Sequence, residues 1–182
     1  MIVLEVIKKV YDWNEKCENK WKYMKIIISL LSANSTVVVY ESAGTLVLVS
    51  STPNAIKVAA TTYCQLLLSS KSDNNVKLIV LDRLNELNRE IMVDMVMDVL
   101  RALSATRSYD VRRKIIDVAL ELITRENINV VVMMLEKEVV KTKSGEHEKK
   151  KKKHGKYRKM LVETIHTVSQ TKSLHFVKVI TC

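Results

Sequence analysis

The chain has 182 residues, 47% of them hydrophobic but only 5% aromatic, with three glycines and one proline. That length and apolar content support a core of about one domain, and so few turn residues exclude a sandwich or barrel in favour of helices joined by short connections. The net charge of +10 suggests a nucleic-acid binder, but residues 141–160 hold ten Lys or Arg against Glu146 and Glu148, leaving the rest of the chain at only +2, twenty cations against eighteen carboxylates.

At the N-terminus, MIVLEVIKKV places Glu5 and Lys8 where a secretory signal would be apolar. No stretch reaches the roughly 18 apolar residues that a membrane span needs. The chain therefore reads as cytosolic, and the sequon Asn34-Ser35-Thr36 reads as unglycosylated. Cys17, Cys64 and Cys182 are odd in number and lack a C-x-x-C pair, so they are expected to be reduced structural thiols.

A first helix is predicted over Glu18–Ser32. It is followed by the first of three segments built on one apolar template, in which a Val is followed eight and eleven residues later by further apolar residues. The template runs Val38, Leu46, Val49; then Val76, Leu84, Leu87; then Val111, Ala119, Leu122. Partner helices fall between these segments at Asn54–Ser70, Glu90–Ser104 and Asn127–Lys141, with starts recurring about every 36 residues, the period of a helix-pair repeat. Thr52 before Pro53 predicts an N-cap, and Asp73, Ser108 and Asn127 are placed to cap the helices they precede. The β-branched runs VVVYES and NVVVMML favour strands by propensity alone. Helical stripes override that preference: Ile128, Val131, Val132, Leu135 and Val139 on one element, and Ile91, Met92, Met95, Val96, Val99, Leu100 and Leu103 on another. Residues 144–154 are too polar and charged to pack and read as a mobile lysine-rich loop. Beyond it Tyr157, Ile165 and Val168 restore the template, and LHFVKVITC reads as a truncated helix.

A helix pair of this size cannot bury both apolar faces alone, so the expected fold is all-α: an α-solenoid of about four to five HEAT/armadillo-like helix-pair repeats. The polar-Val-basic steps Asn75-Val76-Lys77 and Asp110-Val111-Arg112 resemble the second-helix start of HEAT repeats. There an acidic side chain of one repeat is expected to meet a basic one of the next.

Catalytic and ligand chemistry find no support. His147, His154, His166 and His175 show no spacing that sets two metal ligands on one helical face, and three glycines leave no phosphate-cradling loop. Asp94 and Asp98 are an i, i+4 carboxylate pair that reads as a solvated face before it reads as an acid–base pair. The Met92, Met95, Met97 cluster could line an adaptable groove, but Met92 and Met95 lie on the apolar stripe and core packing is preferred. The run Lys149–Lys153 is a solvated loop first, an acidic-lipid or acidic-protein contact second, and a nuclear-import or nucleic-acid patch third. No catalytic, cofactor-binding or metal residue is assigned.

The blocks YESAGTLVLVSSTPNAIKVAA, SDNNVKLIVLDRLNEL, VMDVLRALSATRSYDVRRKIIDVALELIT, LEKEVVKTKSGEHE and KYRKMLVETIH resemble the coatomer beta-subunit family of the COPI vesicle coat, from about Ile2 to Thr167. The resemblance implies that residues 1–182 are a single segment of an adaptin-like α-solenoid trunk. It implies a structural role, not an enzymatic one, in transport between Golgi and endoplasmic reticulum, in the cytoplasm and peripherally on Golgi membranes and COPI vesicles. Implied partners are other coatomer subunits, with an Arf-type GTPase contacting trunk regions ahead of Met1 and an appendage domain beyond Cys182. The lysine run is longer and more basic than the family's loop, and TKSLHFVKVITC departs from the family pattern. No specific nucleic acid is expected, and end-to-end self-association of a cut solenoid is. Another cytosolic helical-repeat receptor of the nuclear transport type, or another adaptor large chain, is the alternative.

Overall fold

The structure, a computed structural model, describes residue 5, residues 20–142 and residues 155–170. Among the described residues all regular structure is helical. The helices are α1 (Lys20–Leu30), α2 (Thr36–Val49), α3 (Pro53–Leu68), α4 (Asn74–Glu86), α5 (Arg89–Met92), α6 (Val96–Arg101), α7 (Tyr109–Glu121), α8 (Ile128–Lys141) and α9 (residues 155–170). Both β-branched runs are helical, in α2 and α8, because their apolar spacing seats them on a core that a strand would not match.

The elements form four helix pairs. The second helices stack on one another, with α4 packed on α7, and the first helices stack likewise, with α3 against α5 and α6, and α6 against α8. One hydrophobic core runs through the stack from Ile27 to Leu161, as expected of an α-solenoid in which each pair is covered by its neighbours.

The shared template marks this core unevenly. Its middle position is buried in every copy, with Leu46, Leu84 and Ala119 each no more than 2% exposed. The first position is buried at Val111 but half-exposed at Val38 and Val76, although all three stand at the third residue of their helices. In α9, Tyr157 and Val168 are buried and Ile165 is half-buried.

Three of the four expected caps form: the side chains of Thr52, Asp73 and Ser108 accept hydrogen bonds from the amides of Ala55, Val76 and Val111. Asn127 does not cap α8. Its carboxamide accepts from the Thr124 amide at 2.8 Å and donates to the Leu122 carbonyl at 2.9 Å, so it closes the end of α7 instead. The helix expected over Glu90–Ser104 is also interrupted, by 3₁₀ turns at Val93–Met95 and Ala102–Ala105. These turns adjust the phase of the stripe, so that Met92, Met95, Val96, Val99, Leu100 and Leu103 all reach the core.

At the two helix starts singled out, the basic residues meet backbone carbonyls and not the acidic side chains expected of them. Lys77, only 5% exposed, donates to the Ala105 carbonyl at 3.2 Å, and Arg112 donates to the Thr106 carbonyl at 2.9 Å. Arg89 reaches the Glu121 carbonyl at 2.6 Å. Each satisfies carbonyls that a helix end leaves without an intrahelical donor, and a cation there also suits the negative end of the helix dipole. The lysine-rich loop at residues 144–154 and the segment LHFVKVITC lie outside the described residues.

Candidate interaction surfaces

The residues singled out for chemistry are dispersed. Asp94 pairs with Lys57 of α3 at 3.3 Å, while Asp98 pairs with Arg101 on its own turn, so each carboxylate holds a cation instead of acting with the other. Met92 and Met95 are buried and Met97 is half-buried against the core. His166 is exposed on α9, whereas His147, His154 and His175 lie outside the described residues. Among the described residues no group of His, Cys, Asp or Glu is arranged to hold a metal. Cys64 is 4% exposed, and burial, with a smaller contribution from Asp98, pushes its thiol up to about 12.

What the fold presents instead is a series of seams between consecutive second helices. The α2–α4 seam opens into a groove of about 200 Å³, with Tyr40 and Gly44 on one wall, Arg83 and Glu86 on the other, and Tyr63 of α3 beneath. Arg83 donates to the Tyr40 hydroxyl at 3.0 Å and pairs with Glu86 at 2.7 Å, which holds its guanidinium firmly charged. Gly44 sits mid-helix under the Tyr63 hydroxyl: a Cβ there would stand 3.3 Å from that oxygen. The Tyr63 phenol is raised above its ordinary range by burial first and by Tyr40 second. The α4–α7 seam is bridged by Lys114 and Asp82 at 2.8 Å, and that bond raises the lysine's pKa.

The α7–α9 seam is wider, with a groove of about 400 Å³. The helices of this seam are also tied by a polar cluster that sequence reasoning missed. Glu138 of α8, 5% exposed, accepts from the Tyr157 hydroxyl at 3.2 Å and from Lys141 at 3.1 Å, with the Ser104 hydroxyl 3.5 Å away. The Arg112 guanidinium lies 4.0 Å from the centre of the Tyr157 ring, a cation–π contact joining the third and fourth pairs. Burial, followed by the Glu138 charge, raises the Tyr157 pKa. A signal for Glu138 was present, since it stands three residues after Leu135 and seven after Val131 on the buried face of α8. A charged residue on such a stripe is ordinarily discounted.

These surfaces are shallow, elongated and spread over several repeats, suited to contacts distributed along a solenoid face. Among the described residues no helix is long and apolar enough to cross a membrane.

Comparison with known proteins agrees with the architecture. The family model for the adaptin N-terminal region matches residues 1–182. The chain is 61% identical to coatomer subunit beta-2 of Arabidopsis thaliana, over 91% of this chain and 17% of that protein. It is 57% identical to coatomer subunit beta-1 of Oryza sativa subsp. japonica, over 92% of this chain and 17% of that protein. It is 45% identical to coatomer subunit beta of Drosophila melanogaster, over 93% of this chain and 17% of that protein. The chain thus spans about a sixth of the length of these relatives. A two-layer stack of helix pairs, matched from end to end by that family model, establishes that the chain belongs to the adaptin N-terminal region family.

Proposed function

We propose that the chain is a structural scaffold of the COPI vesicle coat, serving transport between Golgi and endoplasmic reticulum by protein–protein contact and not by catalysis. The observation that carries this reading is identity of 57–61% to coatomer beta subunits over nine-tenths of the chain, on a fold whose exposed features are continuous helical faces. Its partners are other coatomer subunits, with affinity distributed over a long surface and concentrated at a few anchors. Recruitment by an Arf-type GTPase and peripheral association with Golgi membranes belong to the same reading, with the GTPase contact outside this segment.

The test is affinity purification of the tagged chain from cell lysate, with mass spectrometry of what co-purifies. Stoichiometric recovery of other coatomer subunits is expected. Recovery of a Ran-type GTPase and nucleoporins in their place would replace the coat reading with that of a nuclear transport receptor.

A further inference from the structure

We infer that the groove between α7 and α9 is a docking site for a short acidic peptide segment of a partner protein, in which an apolar anchor side chain sits beside one or two carboxylates. The groove's chemistry stands independently of the coat reading. Its floor is apolar: Ile116 is 3% exposed, and Met160 and Leu120 are half-buried beside it. About 400 Å³ admits one or two side chains, with a few polar groups at the rim to orient them.

The rim supplies those groups. Arg113 of α7 and Lys156 and Lys159 of α9 are all exposed along it. Lys156 and Lys159 stand three residues apart on α9, where like charges on one face repel. Intramolecular pairing relieves little of this, since Lys159 meets Glu163 only at 3.7 Å with both side chains largely exposed. Among the described residues Arg113 and Lys156 have no ion-pair partner. A carboxylate placed between them would relieve like-charge repulsion and gain the paired geometry that a guanidinium offers.

Two further groups choose the class of occupant. Asp117 and Glu163 also line the groove. They would repel a uniformly anionic surface such as a phospholipid bilayer or a nucleic-acid backbone, but not a peptide that carries its charge at one end and offers backbone amides or a neutral side chain at the other.

The experiment uses the full chain and fluorescence anisotropy. The probe is a labelled six-residue peptide with two glutamates beside a leucine and a tryptophan, and its glutamine counterpart is the control. The acidic probe is expected to bind, more weakly as salt rises, and the glutamine form to bind at least about tenfold more weakly. Arg113→Glu with Lys156→Glu should cause a similar loss while the melting temperature is unchanged. Met160→Ala should weaken binding without changing its salt dependence, as befits an apolar anchor. Replacing Lys149–Lys153 by Gln should leave binding in place. The inference is overturned if that last variant abolishes binding while the Arg113/Lys156 variant does not. It is equally overturned if the chain binds phosphatidylserine-containing vesicles through Arg113 and Lys156 but neither peptide.

Discussion

Leu84 tests whether the stack of second helices shares one core. It is 1% exposed, on a helix packed against both α3 and α7. Leu84→Ala removes three carbons, which at about 0.8 kcal/mol each is about 2.4 kcal/mol of lost transfer free energy. A persistent void of up to about 100 Å³ would add a similar amount at about 24 cal/mol per Å³, so the expected cost is about 2.5–5 kcal/mol. Leu48, also on a second helix, is 63% exposed, and Leu48→Ala should stay within about 0.5 kcal/mol. Urea unfolding followed by far-UV circular dichroism measures both. Repeat arrays can unfold in parts, so the comparison holds where the two variants and the parent share one m-value. A loss below about 0.5 kcal/mol at Leu84, or an equal loss at Leu48, would refute the shared core.

The close approach of Tyr63 to Gly44 should mask a helix-propensity gain. Gly44→Ala in the parent is expected to yield less than the usual roughly 0.8–1 kcal/mol, and Tyr63→Phe in the same chain should restore it, as read in a double-mutant cycle of unfolding free energies. Cys64, with its thiol near 12 when folded against 9.0 as the ordinary value, keeps its proton where the unfolded chain loses it. Its contribution to stability is therefore complete below about pH 9 and is lost as pH rises toward about 12. In a Cys17→Ser, Cys182→Ser background, thiol labelling at neutral pH should occur only through opening of α3, and the unfolding midpoint should fall more steeply above pH 9 than in Cys64→Ala. The Asp73 cap, at 2.8 Å from the Val76 amide, predicts a cost of about 0.5–2 kcal/mol for Asp73→Ala and little for Asp73→Asn, checked by thermal melting.

Local pattern fixed much of this architecture in advance. The eight-residue step from Val76 to Leu84 and from Val111 to Ala119 recurs on a 3.6-residue helix at one face, so helix type and the buried middle position were legible without a fold. The caps at Thr52, Asp73 and Ser108 were legible for the same reason, since each acts within four residues. Asn127 was misread because its preferred partners, the Thr124 amide and the Leu122 carbonyl, become available only when α7 ends in that particular turn. Lys77 and Arg112 were rightly marked as repeat-junction residues but given the wrong partners. Lys77 meets the end of the next pair's first helix, 28 residues away at Ala105, whereas Arg112 turns back to Thr106 in its own pair. The interruption of the helix at Val93–Met95 follows from packing several neighbours around one stripe, a demand no isolated helix feels. The groove of Arg113, Lys156 and Met160 and the cluster of Glu138, Tyr157 and Ser104 join residues from helices far apart in the chain. Periodicity assigns each residue to a face of its own helix, but only the stacking of pairs decides which faces meet, because burial and pairing energies act through space and not along the sequence.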